Sequence, residues 1–217
     1  MIRSLLYLIA SRPDLSFSVG VCASYQAKPK VSHLNAVKRI IKYIKGTESL
    51  GVYYSKNSNE NLVGYCDADW AGCDDYRKST SGGCFFLENN LISWLSKKQN
   101  SISLSTAEAE YIAMGSCCSQ LLWMKQMSSD YEMRSGPFLV YCDNKSAIDI
   151  SRNPVQHSRT KHIDIRHHFI RELVEDNHVV IEHVVTDLQL ADIFTTSLEY
   201  NRFIKLRNAI GVCNLDF

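Results

Sequence analysis

The stretch Leu62-Val63-Gly64-Tyr65-Cys66-Asp67 is a short apolar run that ends in an acid, and Phe138-Leu139-Val140-Tyr141-Cys142-Asp143 repeats the form. Apolar runs of this length read as buried strands. An acid at the C-terminal end of a strand stands where open α/β sheets place their ligands. Burying it without a partner is costly, so it calls for an explanation. Taken singly, such an acid can be a helix N-cap, and Asp143 before Lys145-Ser146-Ala147 fits that role.

Working outward, Gly83–Glu88 and Leu91–Leu95 are β-rich runs around Asn89-Asn90, a two-residue hairpin signal, and Ser101–Leu104 reads as a third strand of the same meander. A long helix is expected over Thr106–Met127 and a charged one over Thr160–Asp176. Val179–Val185 returns to β. Thr186-x-x-Gln189 has the form of a capping box opening a last short helix through Ile193, with further helix at Tyr200–Ala209. Three strands, helix, strand, helix, strand, helix describes an α/β domain with a mixed sheet and helices on its faces.

Upstream, residues 1–46 read as helical. Ser32 serves as an N-cap, Leu34, Val37, Ile41 and Ile44 follow at helical spacing, and Gly46 stops the helix. Lys38, Lys42 and Lys45 lie off that stripe, as a solvated face or as phosphate contacts. Leu50–Ser55 looks like a strand and Lys56–Glu60 like a polar linker, which sets a domain boundary near residue 57.

At 217 residues the chain holds one good-sized domain with a smaller appendage, and 45% hydrophobic against 22% charged residues is globular composition. The net charge of +1 hides an asymmetry: residues 1–60 carry nine Lys/Arg against three Asp/Glu, the rest fifteen against twenty. A basic arm on an acidic body suits a nucleic-acid enzyme, which needs cations for phosphate and carboxylates for metal. The eight cysteines form no C-x-x-C pair and read as reduced, buried small hydrophobes. His157, His162, His167 and His168 lack the spacing of a helical zinc pair, since His162 and His167 stand five apart rather than four. The run Leu5–Ala10 is too short for a signal peptide, and no stretch approaches the roughly eighteen apolar residues of a membrane span.

Two further acids join the strand-end pair. Glu110 shares a helix face with Ala113, Met114 and Cys117, so it should point inward, while Glu108, about 200° away, should be solvated. Asp192 lies in the short helix after the last strand. Four inward carboxylates repel one another unless cations join them, and two Mg²⁺ ions would balance their charge. Mg²⁺ takes oxygen ligands and keeps waters, and two ions roughly 3.5–4 Å apart suit phosphodiester hydrolysis.

The runs Gly64-Tyr65-Cys66-Asp67-Ala68-Asp69-Trp70-Ala71-Gly72, Arg77-Lys78-Ser79-Thr80-Ser81-Gly82, Ser105-Thr106-Ala107-Glu108-Ala109-Glu110-Tyr111-Ile112-Ala113, Cys142-Asp143-Asn144, Thr160-Lys161-His162-Ile163-Asp164 and Gln189-Leu190-Ala191-Asp192-Ile193-Phe194-Thr195 resemble the ribonuclease H region of plant copia-type LTR retrotransposon Pol polyproteins. The resemblance implies an α/β, ribonuclease H-like mixed five-stranded sheet with helices on its faces, preceded by a small helical segment. It divides the chain into a reverse transcriptase remnant over 1–57, a ribonuclease H-like domain over 58–197 and a polyprotein tail over 198–217. The family's catalytic and metal-binding set falls on Asp67, Glu110, Asp143 and Asp192, with Asp69, placed beyond the strand end, as second choice for the first acid.

The implied cofactor is a pair of Mg²⁺ ions, with Mn²⁺ as substitute. The implied partners are an RNA–DNA hybrid and the remainder of the reverse transcriptase, and no membrane. The implied location is intracellular, in a cytoplasmic virus-like particle or the nucleus. Candidate nucleic-acid contacts are Ser105, Thr106, Asn144, Arg77, Lys78, Lys97 and Lys98, besides the three arm lysines. Thr195-Thr196 departs from the Thr-Lys of many relatives, which puts one phosphate contact in doubt. His183 is the nearest counterpart of the catalytic His in some cellular ribonucleases H, although a place on a strand favours a structural role. No Tyr-x-Asp-Asp polymerase motif, protease motif or integrase zinc motif is present. The competing readings are an idle nucleic-acid-binding remnant of a decayed or domesticated element and a DNA nuclease of the same fold.

Overall fold

A computed structural model describes residues 1–56, 61–73, 75–132, 136–152 and 164–214, without the side chains of residues 164–167. The chain begins with three helices, α1 (Ile2–Leu8), α2 (Ser16–Ser24) and α3 (Val31–Lys45), and a 3₁₀ turn at Pro13–Leu15. They build a small core of their own around Leu5, Leu15, Val19, Cys22, Val37 and Ile40. The inward stripe of α3 is Val37, Ile40 and partly Ile44, while Leu34 and Ile41 each stay 44% exposed. The expected Ser32 cap is also displaced. Lys30 holds the N-cap, its N–H donating to Nδ1 of His33 at 3.1 Å, and Gly46 ends the helix as expected.

Beyond the arm lie β1 (Leu50–Val52), β2 (Leu62–Asp69), β3 (Thr80–Leu87), β4 (Asn90–Lys98), α4 (Thr106–Asp130), β5 (Phe138–Cys142), α5 (Lys145–Arg152), α6 (Asp164–Glu175) and β6 (Val179–His183). Two 3₁₀ turns follow at Thr186–Leu188 and Leu190–Phe194, then α7 (Tyr200–Ala209) and β7 (Val212–Asn214). Strands β4-β3-β2-β5-β6 form the five-stranded sheet in that spatial order. β2, β3 and β4 are an antiparallel meander, and β5 and β6 run parallel to β2, so the sheet is mixed as expected.

The meander differs from expectation in detail. Its turn is Glu88-Asn89, with Glu88 at φ 53° and Leu87 opposite Asn90. Residues 101–104 are not a strand, because β4 continues to Lys98 and completes the meander without them.

Both faces of the sheet are covered. Leu62, Cys66, Ala68 and Phe85 pack with α4, β5, β6 and the helices α5 and α6 in the larger core. Gly64 permits this, because a Cβ there would stand 2.8 Å from both Cys117 Sγ and Leu121 Cδ1 of α4. On the opposite face Cys84, Phe86 and Leu91 pack with Ala191, Ile193, Phe194, Leu206, Ile210 and Val212. Here β1 pairs with β7, so segments flanking the sheet domain in sequence meet beneath it. Cys22, Cys66, Cys84, Cys117, Cys118 and Cys142 are buried thiols, and Cys73 and Cys213 are partly exposed. Among the described residues no helix is long and apolar enough to cross a membrane.

Candidate active site

β2 and β5 are parallel neighbours, with Tyr65 opposite Tyr141, so their C-terminal ends bring Asp67 and Asp143 to the same edge of the sheet. The strand β2 runs on to Asp69, contrary to the expectation that it stops at Asp67. Asp69 nevertheless turns aside: its carboxylate accepts the Thr80 N–H of β3 and packs against Gly72. The first acid of the cluster is Asp67.

Glu110 arrives from the second turn of α4. Ser105 caps that helix, accepting the Glu108 N–H at 3.2 Å, while Glu108 Oε2 folds back to accept the Leu104 N–H at 2.7 Å. Glu108 is therefore 8% exposed rather than solvated, because the third residue of a capped helix can satisfy a backbone donor behind it. Glu110, at 6% exposure, points inward as expected.

Asp192 sits on the 3₁₀ turn Leu190–Phe194 rather than on an α-helix opened by Thr186. The buried Gln189 caps this turn, accepting from Ala191 N at 3.2 Å and donating Nε2 to the Cys66 carbonyl at 2.9 Å. Thr186 instead donates its hydroxyl to Asp143 Oδ2 at 2.9 Å. Gly82, opposite Asp67 in the β2–β3 ladder, lets the turn approach. A Cβ there would stand 2.8 Å from the Ala191 carbonyl and 2.6 Å from Thr195 Cγ2.

The four acids converge. Carboxylate oxygens of Asp67, Asp143 and Asp192 lie within 4.8 Å of one another, and ligand atoms of Glu110, Cys142 and Asp143 form a second such group. Burial, reinforced by Asp192 and Asp143, pushes the Asp67 carboxyl up to about 7. Burial and then the neighbouring Asp67 push Glu110 up to about 11. Asp192 is raised by burial and held back by Arg202. The Cys142 thiol stays protonated, raised by its hydrogen bond to Cys66 and by burial. Partly buried acids crowded in this way, all hard oxygen donors, fit divalent cations that prefer oxygen.

Three residues hold the acids in place without having been expected at the site, Thr186 having been read only as a helix cap. Thr195, fully buried, donates to Asp67 Oδ2. Thr186 holds Asp143, and Arg202 of α7 pairs with Asp192. Thr195 closes the run Gln189–Thr195, and Arg202 lies in 198–217, the segment expected to be a polyprotein tail.

The nucleic-acid candidates divide. Ser105 and Thr106 are exposed at the start of α4, and Arg77 and Lys97 are exposed near the β3 and β4 ends that flank Asp69. Lys78 is partly exposed. Lys98 already contacts Cys73 Sγ at 2.8 Å and lies over the Tyr76 ring. Asn144, rather than Asp143, caps α5, its Oδ1 accepting from Ala147 N at 3.1 Å. Lys38, Lys42 and Lys45 are exposed on α3. His183 ends β6 with an exposed side chain, and His157 and His162 lie outside the described residues.

Over 212 residues the chain is 38% identical to the Nicotiana tabacum retrovirus-related Pol polyprotein from transposon TNT 1-94, a match covering 97% of this chain and 16% of the relative. The chain belongs to the retrovirus-related Pol polyproteins of transposons. It spans 14% to 16% of the length of these Pol polyproteins. No protein-family model matches it. Among solved structures, the foamy viral protease-reverse transcriptase in complex with dsDNA is 15% identical with a TM-score of 0.53, over 85% of this chain and 38% of that one. LC11-RNase H1 in complex with RNA/DNA hybrid is 15% identical with a TM-score of 0.48, over 62% of this chain and 94% of that one. This Pol segment, with its mixed strand order β4-β3-β2-β5-β6, shares its fold with part of the foamy viral protease-reverse transcriptase.

Proposed function

We propose that this Pol segment is a Mg²⁺-dependent endonuclease that hydrolyses the RNA strand of RNA–DNA hybrids. The convergence of Asp67, Glu110, Asp143 and Asp192 from four separate elements carries this reading. A stable fold has no use for four crowded acids, and their mutual repulsion calls for cations. When bound by these four residues, Mg²⁺ ions supply an acidified water and a stabilised leaving oxygen for phosphodiester hydrolysis.

The chain's own residues do the rest. Thr195 and Thr186 orient Asp67 and Asp143 through hydroxyl hydrogen bonds, which keeps the carboxylates from turning outward. Ser105 and Thr106, at the start of the helix that carries Glu110, and Arg77 and Lys97 are exposed hydroxyls and cations, chemistry suited to 2′-hydroxyl and phosphate contacts rather than to base reading. The enzyme would work beside the remainder of its reverse transcriptase, inside the cell, in a particle or the nucleus. In this reading 58–197 is the catalytic unit, with 1–57 and 198–217 as flanks.

The test is cleavage of an end-labelled RNA–DNA hybrid by the purified chain with Mg²⁺ and with a chelator. Cuts within the RNA strand that need Mg²⁺ are expected. Binding of the hybrid without any cut would favour an idle nucleic-acid-binding remnant, and equal cleavage of duplex DNA a DNA nuclease.

A further inference from the structure

Arg202 projects from α7, in the segment beyond the sheet domain, and reaches the carboxylate cluster. Its Nη2 contacts Asp192 Oδ2 and also donates to the Thr186 carbonyl at 2.6 Å, while Nη1 meets Asp187 Oδ1 at 3.2 Å. The side chain of Asp192 is 12% exposed and that of Arg202 25%, so the pair is sheltered, whereas Asp187 at 84% is open. The same Thr186 that accepts Arg202 through its carbonyl holds Asp143 through its hydroxyl. The guanidinium is thus fixed by three acceptors and directed at one of the four acids.

The helix behind it is anchored. Leu206 is 1% exposed in the core, Phe203 packs edge-on against Tyr43 of α3 at 5.8 Å, and Arg207 donates to the Tyr43 hydroxyl at 3.3 Å. Arg202 therefore approaches Asp192 from a rigid support that the N-terminal arm also touches.

We propose that Arg202 is a built-in counter-cation for the carboxylate cluster, which a divalent ion must displace from Asp192 to engage all four acids. The proposal rests on the metal-site reading and adds a competitor to it. An oxygen of Asp192 lies within 4.8 Å of oxygens of Asp67 and Asp143, so an ion shared by the three would draw on the same carboxylate whose Oδ2 Arg202 now contacts. Two cations competing for one acid make their affinities antagonistic. Arg202 would hold the cluster together without metal, at the cost of weaker metal binding.

The test is calorimetric titration of Mg²⁺, and of Mn²⁺ as a second probe, into the full chain and into Arg202→Gln, alongside thermal melts with and without metal. Arg202→Gln should bind the ion about tenfold more tightly, the scale expected when a partly sheltered ion pair is lost as competitor. It should also melt lower than the parent without metal and close to it with saturating metal. If Arg202→Gln does not fold, Arg202→Lys serves. It keeps the charge but loses the fork, and affinity above the parent's supports competition. Unchanged or weaker affinity in the folded variant, with the parent binding normally, overturns the counter-cation and leaves the metal site standing. An absence of binding in the parent, in Arg202→Gln and at every Mg²⁺ and Mn²⁺ concentration overturns the metal-site reading itself. Binding by the variant alone confirms competition in its strongest form.

Discussion

Asp143 belongs to both groups of ligand atoms, with Glu110 on one side and with Asp67 and Asp192 on the other, and it is the least buried of the four acids. Asp143→Asn removes a charge and little volume, and it leaves the Asn144 cap of α5 intact. Cleavage of a labelled hybrid should fall about 10²- to 10³-fold, the scale of losing one preorganised electrostatic group. The fold, followed by circular dichroism, should persist. Full activity would remove Asp143 from the set. The raised carboxyls of Asp67 and Glu110 yield a second prediction. A carboxyl whose folded value lies above its unfolded one contributes stability below the unfolded value, and that stability is lost as pH rises through the folded value. Asp67 is raised to about 7 and Glu110 to about 11, so the metal-free chain should lose melting temperature steadily from pH 5 to pH 8. Mg²⁺ should restore more at pH 8 than at pH 5. Scanning calorimetry at the two pH values checks this, and a metal-free melting point that rises with pH would mean the acids are not crowded as described.

The strand ends show why much of the site is legible in the sequence. An apolar run closing on an acid is a local pattern, and β2 and β5 satisfy it with Asp67 and Asp143. Glu110 was legible from its helix face, because periodicity depends only on near neighbours. The errors came where a side chain answers to a partner, near or far in sequence, that no pattern specifies. Glu108 bends back to Leu104, and Thr186 leaves its expected cap for Asp143, far away in sequence. Gln189, read as the partner of a Thr186 cap, itself caps the Asp192 turn and ties it to the Cys66 carbonyl, which no pattern in the sequence announces. Gly82 matters in the same long-range way. Gly82→Ala would place a methyl carbon 2.8 Å from the Ala191 carbonyl, a backbone atom that cannot swing aside. The turn bearing Asp192 should shift off the sheet, costing about 1–3 kcal/mol of stability, as overpacking typically does. Metal affinity should fall with it. A denaturant melt and a Mg²⁺ titration on the variant measure the two effects, and a variant that melts and binds like its parent would show that the turn does not depend on this close approach.

At the scale of the molecule, a basic three-helix arm is joined to an acidic sheet domain through α7 and the β1–β7 ladder. The junction is built of polar groups that need one another. Arg12 pairs with Asp14 in a buried contact, Tyr43 donates to Asp14 Oδ2 at 2.9 Å, and Arg207 of α7 reaches the Tyr43 hydroxyl. The arm is therefore held in a set position, and the exposed Lys38, Lys42 and Lys45 of α3 move with it as one rigid face. Lysines that meet phosphates release counterions, and each neutralised phosphate contributes roughly −0.9 to the slope of log affinity against log salt on B-form duplex. Replacing all three by Gln should weaken hybrid binding at low salt and flatten that slope by about two to three units. Cleavage at saturating substrate should stay near its starting value, because the carboxylates stand on other elements and keep their positions. Binding isotherms at several salt concentrations, with a single-turnover cleavage rate beside them, separate the two effects. An unchanged slope in the folded triple variant would assign these lysines to solvation and leave the arm as a support for α7. A lower cleavage rate at saturation would instead mean that the arm acts on the site itself, through Tyr43 and Arg207.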